Sequence, residues 1–249
     1  MEWCDDGIVL ASRPHGESSA VVQLLTRVHG RHAGLVRGGA SRRGRHVVEP
    51  GTLVSATWRA RLAEHLGHLA LDPTRHVGAR LLEDPARLAA LNAACTLAAE
   101  VLPEREPHVG VFEGMLTLLE TLQADSEGAL WPAVYVHWEL GLLGELGFGL
   151  DLTCCAATGK SYDLAFVSPR TGRAVSRDIG TPYADRLLIL PSFLHGGTEA
   201  GPEAISQGLA ITGHFFACYV FDPVDRSMPQ ARGRLVELLE RRGASGQKH

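Results

Sequence analysis

Thr52-Leu53-Val54-Ser55-Ala56-Thr57-Trp58-Arg59-Ala60-Arg61-Leu62 decides the fold of the first third of this chain. In an extended strand successive side chains point to opposite faces. Val54, Ala56, Trp58, Ala60 and Leu62 then share an apolar face that can enter a core, and Ser55, Thr57, Arg59 and Arg61 share the other. The two arginines are expected to point the same way off that strand. Gly7–Ser12, Ala20–Thr26, Arg31–Arg37 and Leu66–Leu71 are also β-rich or alternating, with Gly, Pro, His or Arg between them. Five short strands in about 70 residues suit a small closed or partly closed barrel such as an OB-fold, with a small sandwich or SH3-like barrel as the alternative.

Outward from this block the pattern changes near residue 76. Apolar residues recur at helical spacing in Pro85–Leu102, His108–Ala124, Trp131–Leu146, Glu203–Val220 and Pro229–Arg242. Residues 150–190 are irregular, but Ser168-Pro169-Arg170-Thr171-Gly172 is a good turn between Tyr162–Val167 and Arg173–Arg177, which predicts a hairpin. The expected organisation is α+β: an OB-fold domain over 1–75, a mostly helical domain over 76–243 with an insertion near 150–190, and a frayed tail over 244–249. The acids Glu100, Glu113, Glu120 and Glu139 are expected mostly on the polar sides of their helices, giving a solvated acidic surface.

Charge is split along the chain. Residues 27–61 carry eight arginines (27, 31, 37, 42, 43, 45, 59 and 61) against Glu49 alone, while residues 81–152 carry Arg87 and Arg105 against twelve acids. A formal net charge of −4 therefore hides a basic block beside an acidic one. Such a block is the footprint of a surface that meets phosphate. Arg31, Arg37, Arg59 and Arg61 are expected to line the barrel, with Arg27 beside them. Arg42, Arg43 and Arg45, in the glycine-rich run 38–45, are expected to clamp phosphates from a flexible arm. The only aromatic that alternation places in this block is Trp58, on the apolar face, so binding should be backbone-dominated and sequence-tolerant.

Other function classes leave weaker traces. Cys154-Cys155-Ala156-Ala157-Thr158-Gly159-Lys160-Ser161 approaches a phosphate-binding loop but has Cys154 where the first glycine belongs, and Cys218–Asp222 would have to supply its Mg²⁺-binding strand. Adjacent cysteines at 154 and 155, with no partner pair nearby, do not make a structural zinc site; His195, His214 and Cys218 are distant ligands at best. No metal, cofactor or catalytic residue is expected. Five scattered cysteines (4, 95, 154, 155 and 218) fit a reducing compartment. The acidic start, Met1-Glu2-Trp3-Cys4-Asp5-Asp6, is unlike a secretory signal, and no apolar run approaches the length of a membrane span. A cytoplasmic, nucleoid-associated protein without membrane contact is expected.

A series of segments, each weak alone, is specific in order. It runs through Asp6-Gly7-Ile8-Val9-Leu10, Gly16-Glu17-Ser18-Ser19-Ala20-Val21-Val22, Gly34-Leu35-Val36-Arg37-Gly38-Gly39-Ala40-Ser41 and Pro50-Gly51-Thr52-Leu53-Val54. It continues through residues 142–152 (LLGELGFGLDL), 167–175 (VSPRTGRAV) and 190–194 (LPSFL). The chain resembles the RecO family of bacterial recombination mediators over nearly its whole length. The resemblance implies an N-terminal OB-fold and a helical domain. It also implies binding of single- and double-stranded DNA, strand annealing, and work with RecR, and with RecF, to load RecA onto strands coated by single-stranded DNA-binding protein. The helical domain is expected to take that coating protein's acidic C-terminal tail. Arg87, Arg105, Arg170 and Arg173, the few cations there, are the candidates for that contact. Many family members carry a four-cysteine zinc module in the helical half; this chain keeps only Cys154 and Cys155, which argues against zinc. The rivals left open are a protein-docking adaptor that does not bind DNA and a degenerate phosphate-loop protein.

Overall fold

The computed structural model describes residues 1–246, which pack as two compact units, the first spanning Met1–Gln123 and the second beginning at Ala124.

In the first unit, β1 (Glu2–His15), β2 (Ser19–Thr26), β3 (Gly30–Val36), β4 (Thr52–Arg59) and β5 (His68–His76) form a barrel of order β1-β2-β3-β5-β4, closed by antiparallel pairing of β1 with β4. Alternation works as expected in β4: Val54, Ala56 and Trp58 join Val9, Val22, Leu24, Val36 and Leu69 in the interior. The strand ends at Arg59, however. Leu62 is exposed and Arg61 lies in the β4–β5 connection, so Arg59 and Arg61 do not share a strand face. The β3–β5 seam is one parallel bridge, Leu35 to His68, reinforced by the Leu35 amide donating to the Gly67 carbonyl at 3.0 Å. Gly34 permits this approach: a Cβ there would sit 2.6 Å from Leu69 Cγ.

Two helices complete this unit. Helix α1 (Pro85–Val101) starts at Asp84, whose carboxylate accepts the Ala86 and Arg87 amides at 3.0 and 3.2 Å, with Pro85 in the first turn. Its buried Ala90, Leu91, Ala94, Cys95 and Ala98 lie against the barrel; Cys95 Sγ reaches the Val9 carbonyl at 3.8 Å. Helix α2 is Val109–Ala124. Strand gives way to helix after His76, and α1, whose buried face meets β1 and β2, belongs with α2 to the same compact unit, which ends at Gln123.

In the second unit, α3 (Trp131–Glu145), α5 (Pro202–Phe215) and α6 (Gln230–Gly246) pack together, with the short helix α4 at Arg177–Gly180. The expected hairpin is present as β6 (Leu164–Val167) and β7 (Ala174–Ser176), joined by a third strand, β8 (Leu188–Ile189). Residues 244–246, expected in the tail, continue α6, and 247–249 lie outside the described residues. Beyond α5 the helix continues through a π-turn (Phe216–Phe221) and a 3₁₀ turn to Val224. This 23-residue stretch is long and apolar enough to span a bilayer by length and composition, which corrects the reading that no run approaches that length. Ile205, Leu209, Ile211, Phe215, Phe216 and Phe221 bury its apolar side within the protein.

Candidate nucleic-acid interface

The acidic block is not simply a solvated face. Arg27 pairs with Glu113 on α2 and lies 4.8 Å over the Phe112 ring. Arg31, with a side chain 14% exposed, donates from Nε to the Leu102 carbonyl at 2.7 Å and meets Glu104 at 3.3 Å. Arg75 meets Glu120 at 3.3 Å. Arg59 meets Glu2, its cross-strand neighbour, at 2.7 Å, and that partner raises its pKa. Four of the barrel's cations are thus already countered, two of them by the helix α2 packed in the same unit.

Arg37, Arg42, Arg43, Arg45 and Arg61 are exposed and have no acidic partner among the described residues. The loop carrying three of them is a hydrogen-bonded turn rather than a flexible arm. Ser41 Oγ donates to the Gly38 carbonyl at 2.6 Å and accepts the Gly44 amide at 3.1 Å, and Ala40 N–H reaches Ser18 O at 2.9 Å. Gly44 allows the turn to close: a Cβ there would lie 2.2 Å from the Gly38 oxygen. Arg45 opens a 3₁₀ turn, Arg45–Val48, that plugs Val48 into the barrel core. The packed base of the loop therefore fixes the backbone from which the three exposed arginine side chains project.

Loop and barrel enclose a groove of about 690 Å³, with Arg37 and Arg59 on its walls, Leu35, Val47 and Leu71 among its apolar lining, and no carboxylate in that lining. This is the shape and charge expected of a surface that follows a phosphodiester backbone.

The chain matches the family model described as Recombination protein O N terminal over residues 1–72 and that described as Recombination protein O C terminal over 82–228. It is 56% identical to a DNA repair protein RecO of Rhodospirillum centenum over 95% of this chain and 94% of that one. It is 50% identical to a protein of the same name from Rhodospirillum rubrum, over 98% and 99%, and 50% identical to one from Phenylobacterium zucineum, over 98% and 99%. The chain belongs to the RecO family. The α+β architecture with an OB-type barrel and the repair and recombination reading are those of the family.

In this RecO family member the cations expected to meet a partner are mostly engaged. Arg87 bonds Asp84 and the Leu122 carbonyl, both at 3.1 Å. Arg105, at φ 64°, donates to the Glu64 and His65 carbonyls at 3.2 Å and so ties down the β4–β5 connection. Arg173 pairs with Asp151 at 3.3 Å. Only Arg170 of the four is exposed with its side chain unpartnered among the described residues. A pocket that the sequence did not announce lies in the second unit: about 260 Å³, lined by Pro132, Ile205, Leu239 and Arg242 among others. Its signal was faint, an arginine pair at the end of an amphipathic helix.

The two adjacent cysteines have separate surroundings. Cys155 is buried, and its sulfur takes the Ser176 amide and hydroxyl at 3.3 Å each, where a metal would need further ligands. Burial pushes its thiol up, but hydrogen bonds from the Ser176 and Thr158 side chains and the Ser176 and Ala157 amides outweigh that and bring it down to about 6. Cys154 instead has Arg173 4.0 Å away, and no group of three potential metal ligands occurs among the described residues. The phosphate-loop reading also fails. Residues 154–161 lead into β6 and not into the helix that must follow a phosphate-binding loop, and Cys218–Asp222 is helical, not a strand.

Proposed function

We propose that this chain is a non-enzymatic recombination mediator that binds single- and double-stranded DNA along the barrel groove, anneals complementary strands in the cytoplasm at the nucleoid, and acts with RecR, and with RecF, to load RecA onto strands coated by single-stranded DNA-binding protein. The observation that carries it is the set of uncountered arginines 37, 42, 43 and 45 beside a groove lined by no carboxylate. Neutralising phosphates lowers the repulsion between two strands, and contacts made mostly to the backbone leave base edges free to pair. Annealing of bare and coated strands, with and without RecR, tests the reading. Loss of annealing in the combined Arg42→Ala, Arg43→Ala, Arg45→Ala variant supports it, and unaltered annealing counts against it.

The pocket around Pro132, Ile205 and Leu239 supports a second contact. An apolar hole with Arg242 beside it suits an acidic peptide that ends in an apolar side chain, the chemistry expected of the coating protein's tail. Titration of a labelled tail peptide against Arg242→Glu and Ile205→Asp variants measures it.

A further inference from the structure

A second cavity of the first unit, about 430 Å³, is lined by Trp3, His29, His32, Trp58, Glu2 and Arg105 among others. Four of its lining residues carry aromatic rings. Trp3 stacks on His29 (centroids 4.3 Å apart, planes 9° off parallel) and lies 5.8 Å from Trp58, while His32 stands edge-on to both, at 5.0 and 4.8 Å.

His32 is the anomaly. It is 4% exposed, and neither ring nitrogen has a hydrogen-bond partner. Buried polar groups without partners are rare and ask for an explanation. Burial, with Arg105 nearby, holds this imidazole down to about 4, so it is neutral and offers one donor and one acceptor. An aliphatic or phenyl occupant would leave both orphaned. A carboxylate or a phosphodiester brings no donor at neutral pH. A nucleobase brings a flat π-face for aromatic walls and an edge carrying both donors and acceptors, and the volume falls within the range of small-ligand sites. Of the acids close by, Glu2 is paired with Arg59 at 2.7 Å, and the Asp5 carboxylate is taken up by hydrogen bonds from the His29 ring at 2.9 Å and the Val28 and His29 amides at 2.8 and 3.1 Å.

We infer that this cavity receives a single nucleobase from a bound DNA strand, its ring against the Trp3 and His29 side chains and its polar edge on His32. The inference rests on the barrel binding DNA and adds a base-holding site to it. Trp3 is only partly buried, so a base packed against it changes its emission, which reports occupancy. Unpairing costs least in a single strand, which is therefore the preferred donor of the base.

The test compares a short single-stranded oligodeoxynucleotide with the same strand made of abasic sites, by anisotropy and tryptophan emission. Wild type is expected to bind the base-bearing strand about fivefold or more tighter and to quench only with it. His32→Leu is expected to lose that preference while keeping its affinity for the abasic strand. Equal affinity of wild type for both strands overturns the pocket but leaves groove binding standing; no binding of either overturns both. Photocrosslinking of the wild-type protein to a 5-iodouracil strand guards against a misfolded variant. Adducts at Trp3, His29 or His32 support the pocket, and adducts confined to residues 37–47 refute it.

Discussion

Arg232 clasps Glu139 inside the second unit: Nε and a terminal nitrogen donate to the two carboxylate oxygens at 2.8 and 3.0 Å, and the side chains are 7% and 0% exposed. Thr212 closes the cluster, donating to Glu139 at 2.5 Å, and Arg232 also reaches the Leu209 carbonyl at 2.8 Å. Three helices far apart in the chain, α3, α5 and α6, are thus joined by one satisfied charge pair. Glu139 was expected on a solvated side.

Removing one member should therefore cost more than the pair contributes. Arg232→Met leaves a buried carboxylate without its cation and is expected to destabilise the second unit by about 3–5 kcal/mol, with Arg232→Met plus Glu139→Leu recovering much of the loss. Denaturant unfolding, with hydrogen exchange of α3 and α6 amides, measures both.

Among the barrel arginines, position decides the readout. The combined change of Arg42, Arg43 and Arg45 to Ala should weaken DNA binding for all sequences alike. It should flatten the plot of log affinity against log salt by about 2–3 if each meets one phosphate. Stability should change little, because all three side chains are exposed. An unaltered salt slope would remove the loop from the interface.

Arg31→Ala should do the opposite. It deletes the bond to the Leu102 carbonyl and the contacts to Glu104 and Gln23, so it is expected to cost about 1–3 kcal/mol of stability and leave the salt slope as it was. Thermal unfolding and salt-dependent binding on the same preparation separate the two roles.

Acid should weaken the first unit through His32. Its folded pKa, about 4, lies below the ordinary 6.5, so the unfolded chain takes the proton first. The stability it supports is complete above pH 6.5 and falls as pH drops from 6.5 toward 4. Asp5 acts in the same direction: burial pushes its pKa up, but hydrogen bonds from His29 and the Val28 and His29 amides bring it below the usual carboxylate value. A pH series of unfolding curves should show a slope over this range that His32→Leu reduces.

Ser176→Ala should raise the Cys155 thiol toward its ordinary value by removing one of the hydrogen bonds that favour the thiolate. Thiolate absorbance near 240 nm against pH reads the shift directly.

Local order was legible because it is carried by local patterns. Alternation from Val54 to Trp58, the helical spacing of Leu118, Leu119 and Leu122, and the turn at Ser168–Gly172 each declare their element to within a few residues. The resemblance supplied the topology. Local pattern did not show where β4 stops, since Ala60, Arg61 and Leu62 continue the alternation after the strand has ended.

The sequence by itself determined the elements, the family and the existence of a cationic surface, because periodicity and composition are properties of neighbours along the chain. Only the tertiary structure decided which arginines remain available. Arg27, Arg31, Arg59 and Arg75 meet Glu113, Glu104, Glu2 and Glu120, tens of residues away along the chain, and an ion pair depends on distance in space. It likewise decided that Trp3, His29, His32 and Trp58, scattered over three strands and a turn, make one aromatic cavity.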